Sequence, residues 1–258
     1  MGGLSKKAFV HSLDARHSIM FAHIFDMAER CDKTSRGMYG DFLSENSQAE
    51  LLSRESYLPM KCVLFGGYPD AERKMVAFIP EYEESSFPIS AVKLYSPRIG
   101  SLSHRDFLGS VLSLGIKREK CGDIIADGDN CYLLMHEDIA SYVASSLTRV
   151  GKEGVKAQLV SFDEVPLPTR TFKPINGTVS SLRLDAVVSL FAGKGRGKAA
   201  EMVTGGLVFV NGLLAQKCDM RLCDGDVISL RGKGKATLSV GGTSKKDRFF
   251  ITLNVYGN

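Results

Sequence analysis

The sequence predicts an α+β chain built in three parts, and three observations predict it. Residues 1–60 carry apolar side chains at helical spacing. Residues 61–165 alternate short apolar runs with two helical faces, and residues 179–258 combine two short helices with several turn-separated strands. Between the last two parts, residues 166–178 hold Pro166, Pro168, Pro174 and the pair Asn176-Gly177, which read as a linker. With 258 residues, 44% of them apolar, the chain can bury two or three small cores.

In the first part, Phe21, Ile24, Phe25 and Ala28 recur at the helical period, and a second helix is expected over Ser47–Arg54. Gly37 and Gly40 mark a loop between them. The middle part opens with two apolar runs, Cys62–Phe65 and Met75–Ile79, flanking the turn Gly66-Gly67-Tyr68-Pro69-Asp70. Ile89–Tyr95 reads as a strand, and Phe107, Leu108, Val111 and Leu112 as one face of a helix capped by Ser103. Cys121–Ala126 and Cys131–Met135 read as strands around the turn Asp127-Gly128-Asp129-Asn130. Ile139, Val143, Leu147 and Val150 give a second helix, and Val155–Phe162 a last strand. From Ile89 onward the order is βαββαβ, the ferredoxin-like plan shared with RNA-recognition motifs. Such motifs stack bases on exposed aromatics of their central strands. The strand Cys131–Met135 offers only Tyr132, so base stacking does not follow from it.

Charge is uneven. From Thr178 onward there are 12 Lys/Arg against 6 Asp/Glu, whereas residues 1–177 hold 21 against 23. A basic C-terminal third on a near-neutral body points to a local polyanion contact. The six cysteines include no Cys-x-x-Cys pair, so zinc is not expected and the thiols read as small buried groups of a reduced compartment. No run approaches the roughly 20 apolar residues of a membrane span. Met1–Lys6 lacks a signal-peptide core, and Lys6 stands where myristoylation requires Ser or Thr. A cytoplasmic monomer is expected, with neither a cofactor nor a small-molecule substrate. His104, Arg105 and Asp106 are adjacent and cannot converge on one helix face, and His136, Glu137 and Asp138 suit the start of a helix. The middle part therefore reads as a binding or positioning domain and not as an enzyme.

The C-terminal part is the most specific. Leu184, Val187, Val188 and Phe191 form one helix face; Gly193-Lys194-Gly195-Arg196-Gly197 is a basic turn; Lys198–Thr204 is a second helix closed by Gly205-Gly206. Val208 and Val210 begin a hairpin at Asn211-Gly212, and Asp224-Gly225-Asp226 turns into Val227–Leu230. The basic turn is not a Walker motif, because Ala192 replaces the first Gly and Ala199 the Ser or Thr after Lys198. Residues 237–258 read as a hairpin that pairs Leu238 and Val240 with Phe250, Thr252 and Asn254 across Gly241-Gly242 and Lys245-Lys246. Phe249 and Phe250 are both expected in its core.

The ordered set Arg183-Leu184-Asp185, Arg196-x-Lys198-Ala199, Gly206-x-Val208-x-Val210-Asn211-Gly212 and Gly225-Asp226-x-Ile228 resembles the RNA-binding domain first seen in ribosomal protein S-four. Gly195 departs from it, since the family often has Ser before the Arg. Further upstream, His104-Arg105-Asp106-Phe107-Leu108-Gly109, Leu114–Lys120 and Gly122-Asp123-Ile124 resemble the YlmH family, whose members join a ferredoxin-like middle domain to a C-terminal S-four domain. The resemblance implies binding to the large ribosomal subunit and to transfer RNA, in the rescue of stalled ribosomes and ribosome-associated quality control. It puts Arg183, Arg196 and Lys198 on the RNA-facing surface and leaves Asp185, Asn211, Gly212 and Asp226 to hold the fold. Lys194, Lys217, Arg221 and Arg231 extend the expected basic face, and Arg105, Lys117 and Arg118 form a candidate second contact. Two alternatives stay open: a general chaperone of structured RNA, and an RNA-modifying enzyme of the pseudouridine-synthase kind, whose S-four domain usually precedes a larger catalytic domain.

Overall fold

The computed structural model describes residues 5–168, 171–244 and 247–257; of Arg16 only the backbone is described. Contacts divide the chain into two compact units, Met1–Pro168 and Thr169–Asn258.

The first unit begins with α1 (Lys6–Val10) and α2 (Ala15–Thr34), whose Phe9, Phe21 and Phe25 pack ring against ring at 5.6 and 5.8 Å. Asp14 caps α2 by accepting from the His17 amide. Next come β1 (Met38–Leu43), α3 (Glu45–Ser53), β2 (Val63–Phe65) and β3 (Lys74–Phe78), and the sheet order is β1-β3-β2. The expected loop at Gly37–Gly40 is thus a strand. Its pairing with β3 shifts register between Tyr39 and Phe42, so Gly40 marks a bulge, at a point where a Cβ would press on Met27 and Val76. The expected boundary at residue 60 falls away too, because β1 hydrogen-bonds to a strand beyond it.

Residues 89–160 form β4 (Ile89–Tyr95), α4 (His104–Ser113), β5 (Cys121–Asp127), β6 (Asn130–His136), α5 (Glu137–Ser146), the short β7 (Arg149–Val150) and β8 (Glu153–Gly154), and β9 (Lys156–Val160). The four long strands form an antiparallel sheet in the order β5-β6-β4-β9. A capping box between Ser103 and Asp106 starts α4, and the His136 ring starts α5 by accepting from the Asp138 amide. That helix stops at Ser146, earlier than its apolar spacing suggests; Val150 is buried from β7 instead. Phe162 likewise lies beyond the last strand, in a 3-10 turn over Phe162–Glu164.

One face of this sheet packs on α4 and α5 through Val92, Leu94, Leu133, Phe107 and Val143. On the other face Ala91, Leu134 and Val160 lie under Tyr68, Ala71, Phe162 and Val165. The buried Asp123 carboxylate ties that cover down, accepting from the Tyr68 hydroxyl at 2.8 Å and from the Glu72 and Arg73 amides at 2.7 and 2.9 Å. A buried carboxylate holding three donors is satisfied without a counter-ion.

The second unit comprises β10 (Phe172–Val179), α6 (Leu184–Ala192), α7 (Arg196–Thr204), β11 (Val208–Val210), β12 (Leu213–Leu214), β13 (Val227–Leu230), β14 (Gly234–Thr243) and β15 (Phe249–Tyr256), with sheet order β10-β15-β14-β13-β11-β12. The expected linker therefore contains a strand. Pro174 is tolerated because β10 is an edge strand with a single partner, so only every second N–H is needed for pairing. The hairpin at Asn211-Gly212 forms as expected, both residues having positive φ (50° and 80°). Asn211 also locks to the next turn, donating to Asp226 and accepting from the Val227 amide, each at 2.9 Å. The tail pairs differently from expectation: Leu238 faces Leu253 and Val240 faces Ile251, all turned inward. Phe249 packs on the core while Phe250, its neighbour on a pleated strand, turns outward and is 49% exposed. Lys245 and Lys246, expected in this turn, lie outside the described residues. Among the described residues no helix is long and apolar enough to cross a membrane.

Candidate nucleic-acid interface

The basic surface of the second unit is organised by one carboxylate. Asp185 stands in the first turn of α6, where an acid suits the helix dipole. That turn is pinned from below by the following loop: the Leu184 and Asp185 amides donate to the carbonyls of Met220 and Cys218, and Arg183 bridges Arg221 in antiparallel fashion. The Asp185 side chain is only 8% exposed. Arg183 donates to it through Nε and Nη2, both at 3.2 Å, and Arg196 through the same two atoms at 3.1 and 3.0 Å. Burial alone would raise the Asp185 carboxyl, but the hydrogen bonds from Arg183 and Arg196 outweigh it and hold the group below the usual carboxylate range.

Two consequences follow. The carboxylate cancels one of the two positive charges, so this face is less positive than its arginine count suggests. In exchange both guanidiniums are held in place, and each has spent only two of its five donors, leaving the others for a phosphate or a carbonyl. Arg196 is also the first residue of α7, not the last of the preceding turn. Gly195 is the N-cap, and with no side chain it leaves the first amides of α7 uncapped. This is the local effect of the missing Ser.

Lys194 and Arg196 line an open cleft of about 470 Å³ with Thr178, Ser180 and Ser189. Arg248 completes it, with Nη2 donating to the Thr178 carbonyl at 2.8 Å. No spacing in the sequence points to Arg248; the alignment of β10 beside β15 brings it there. Lys198 is exposed but paired with Glu201 at 2.9 Å, a surface pair whose carboxylate offsets the lysine's positive charge. Lys217 and Arg221 are exposed on the loop that pins α6, and Arg231 lies over the Phe209 ring at 5.3 Å. Lys198, Lys217 and Arg231 belong to neither the Asp185 clamp nor the cleft wall.

In the first unit the structure separates the candidate second contact. Arg105 and Lys117 are exposed, whereas Arg118 is half-buried and donates through Nη1 to the carbonyls of Cys121 and Gly122 at 2.9 and 3.5 Å. Beside it stands Arg73, which the sequence did not single out. Its guanidinium donates to the carbonyls of Cys121 at 2.7 Å, Phe42 at 3.0 Å and Arg118 at 3.2 Å. Burial, and then the neighbouring Arg118, push its pKa down to about 10. Burial and Arg118 also lower His104, favouring its neutral form. Cys31, Cys121 and Cys131 are buried as expected, whereas Cys62 and Cys218 are only partly buried and Cys223 is exposed. Among the described residues no group of three or more His, Cys, Asp or Glu is placed to hold a metal ion.

Comparison with known proteins matches residues 80–164 to the family model described as "Putative RNA-binding domain in YlmH", and residues 182–228 to that of the S4 domain, the S-four module inferred above. The "Ribosome-associated protein quality control protein P2" of Bacillus subtilis (strain 168) is 34% identical over 218 residues, 83% of this chain and 85% of that protein. Among solved structures, "Cell division protein ylmH from Streptococcus pneumoniae" is 19% identical with a TM-score of 0.48, covering 60% of this chain and 96% of the other. A basic two-helix clamp inside an S4 domain, preceded by the YlmH-type RNA-binding domain and matched along most of its length by one relative, places this chain in the YlmH family.

Proposed function

We propose that the protein binds RNA of the large ribosomal subunit together with transfer RNA, and that it acts in ribosome-associated quality control. The observation that carries this reading is the clamp in which Asp185 holds Arg183 and Arg196 side by side, next to Lys194. Guanidiniums fixed before binding lose little freedom when they meet phosphates, which suits a rigid, folded RNA. The naming of the Bacillus relative for ribosome-associated quality control supports the setting. Lys198, Lys217, Arg221 and Arg231 widen the face, and Arg105 with Lys117 form a second, weaker contact from which Arg118 is withdrawn by its carbonyl bonds. We read residues 89–160 as a ferredoxin-like domain; the sheet order β5-β6-β4-β9 supports that reading.

The test is co-sedimentation with purified large subunits, empty and loaded with transfer RNA, across a salt series. The parent protein is expected to pellet in a salt-sensitive manner. Arg183→Lys plus Arg196→Lys keeps the charge, loses the two-pronged geometry, and should weaken pelleting by about tenfold. Absence of pelleting under every condition, with free structured RNA still bound, would replace this reading by a general RNA chaperone.

A further inference from the structure

We propose that the uncovered half of the middle sheet is a stacking platform for a short stretch of single-stranded RNA, a ligand different from the folded RNA assigned to the second unit. The proposal rests on the reading of this chain as an RNA binder and adds a site to it. Strand register places two rows of side chains on that half. One runs Ile125, Tyr132, Lys93, Gln158, and the next runs Asp127, Asn130, Tyr95, Lys156. The cover formed by Tyr68, Ala71, Phe162 and Val165 packs with Ala91, Leu134 and Val160 and also with Ile125 and Tyr132, so the first row is open only at Lys93 and Gln158 while the second is open along its length.

The two tyrosines differ. Tyr132 is 5% exposed, with the Lys93 ammonium over its ring at 5.7 Å, so it is closed. Tyr95 is 44% exposed at the open end of a central strand. Lys93 lies two residues back on the same face, and Lys156, which is exposed, lies directly opposite on β9. An exposed ring flanked by two cations meets the requirements of a base with its neighbouring phosphates: any base offers a π-face, and the phosphates need only positive charge nearby. Asn130 and Gln158, beside the ring and beside Lys93, supply amides for base edges. Asp127 ends the Tyr95 row on β5, so phosphates are repelled from that edge and the RNA backbone is steered along β4 and β9. A peptide ligand would want apolar pockets, whereas Ile125 and Tyr132 are closed and Tyr95 is the large apolar side chain these rows expose. The match of residues 80–164 to an RNA-binding family gives the ligand class but not a face.

The experiment measures binding of the full chain to a labelled oligouridine of about ten nucleotides, and separately to a folded RNA hairpin, by fluorescence anisotropy across a salt series. Tyr95→Ala should weaken oligouridine binding by about tenfold with an unchanged salt slope, and Tyr95→Phe should restore it. Lys156→Ala should reduce the slope for the single strand by about 0.7. Arg183→Lys plus Arg196→Lys should weaken the hairpin and leave the Tyr95 effect intact, so failure at ribosomes and failure at this platform are separate results. The proposal is overturned if the parent does not bind oligouridine, if Tyr95→Ala binds it as the parent does, or if Tyr95→Ala weakens both RNAs equally.

Discussion

Two arginine pairs in this molecule have opposite roles, and the difference lies in what each pair bonds to. Arg183 and Arg196 share one carboxylate and keep free donors at a half-exposed surface. Arg73 and Arg118 are turned onto backbone carbonyls of Phe42, Arg118, Cys121 and Gly122, stitching β1 to the start of β5. A carboxylate clamp presents a guanidinium; a carbonyl cage consumes it. An arginine read from sequence as a basic contact therefore needs its partner identified before it is assigned to RNA.

The comparison is broken most directly at Arg73. Arg73→Ala takes its donor from three carbonyls, of which Cys121 keeps Arg118, and removes a half-buried stem, so it should destabilise the first unit by about 3 kcal/mol. Urea unfolding followed by a probe in that unit measures this, and folded-RNA affinity of the remaining native protein should be unchanged. An unaltered midpoint would show that the carbonyl cage is dispensable.

Asp185→Asn tests the clamp. With the arginines half-exposed, the loss should be about 2 kcal/mol, below the ~3–5 typical of breaking a fully buried pair. The sign with pH is definite. The folded carboxyl is depressed, so its stabilisation is present above the ordinary value near ~3.9 and is lost as pH falls through the depressed one. The advantage of the parent over Asp185→Asn should therefore be full at neutral pH and shrink below about pH 4, read from denaturant midpoints of the second unit.

Arg105→Ala plus Lys117→Ala sharpens the comparison at its weaker end. Both side chains are exposed, so stability should stay within ~0.5 kcal/mol. Folded-RNA affinity should fall severalfold, with a salt slope smaller by about two, one unit per lost phosphate contact. An unchanged slope would remove the second contact from the interface. The smallest effect is expected at Phe250→Ser. The outward-facing ring should cost less than about 1 kcal/mol, whereas Phe249→Ser, which removes a core contact, should cost more.

How much was legible varies along the chain. Turn chemistry was read well, because Asn211-Gly212 demands positive φ and the structure has it. Helix faces were read well too, since Leu184, Val187, Val188 and Phe191 are all buried. Strand β1 was missed because its bulge at Gly40 and Asp41 interrupts the period of two that marks a strand. Strand β10 was missed because Pro174 and Asn176-Gly177 are breakers everywhere except at an edge. The pairing of the tail was misread because inward and outward residues alternate, so a slip of one residue exchanges the faces.

By itself the sequence determined which residues are apolar at which period, where the chain must turn, and that Arg183, Asp185, Arg196 and Lys198 recur in the order of an S4 domain. These are local properties, decided by φ/ψ preference and by spacing along the chain. Tertiary structure alone decided that Asp185 binds both arginines, that Arg248 reaches the cleft from the tail, that Arg73 and Arg118 are consumed by carbonyls, and that Tyr132 is covered while Tyr95 is open. Most of these encounters join separate elements, from Asp185 and Arg196, 11 residues apart on two helices, to Thr178 and Arg248, 70 apart, and they are set by helix packing, strand order and register, which no local pattern encodes.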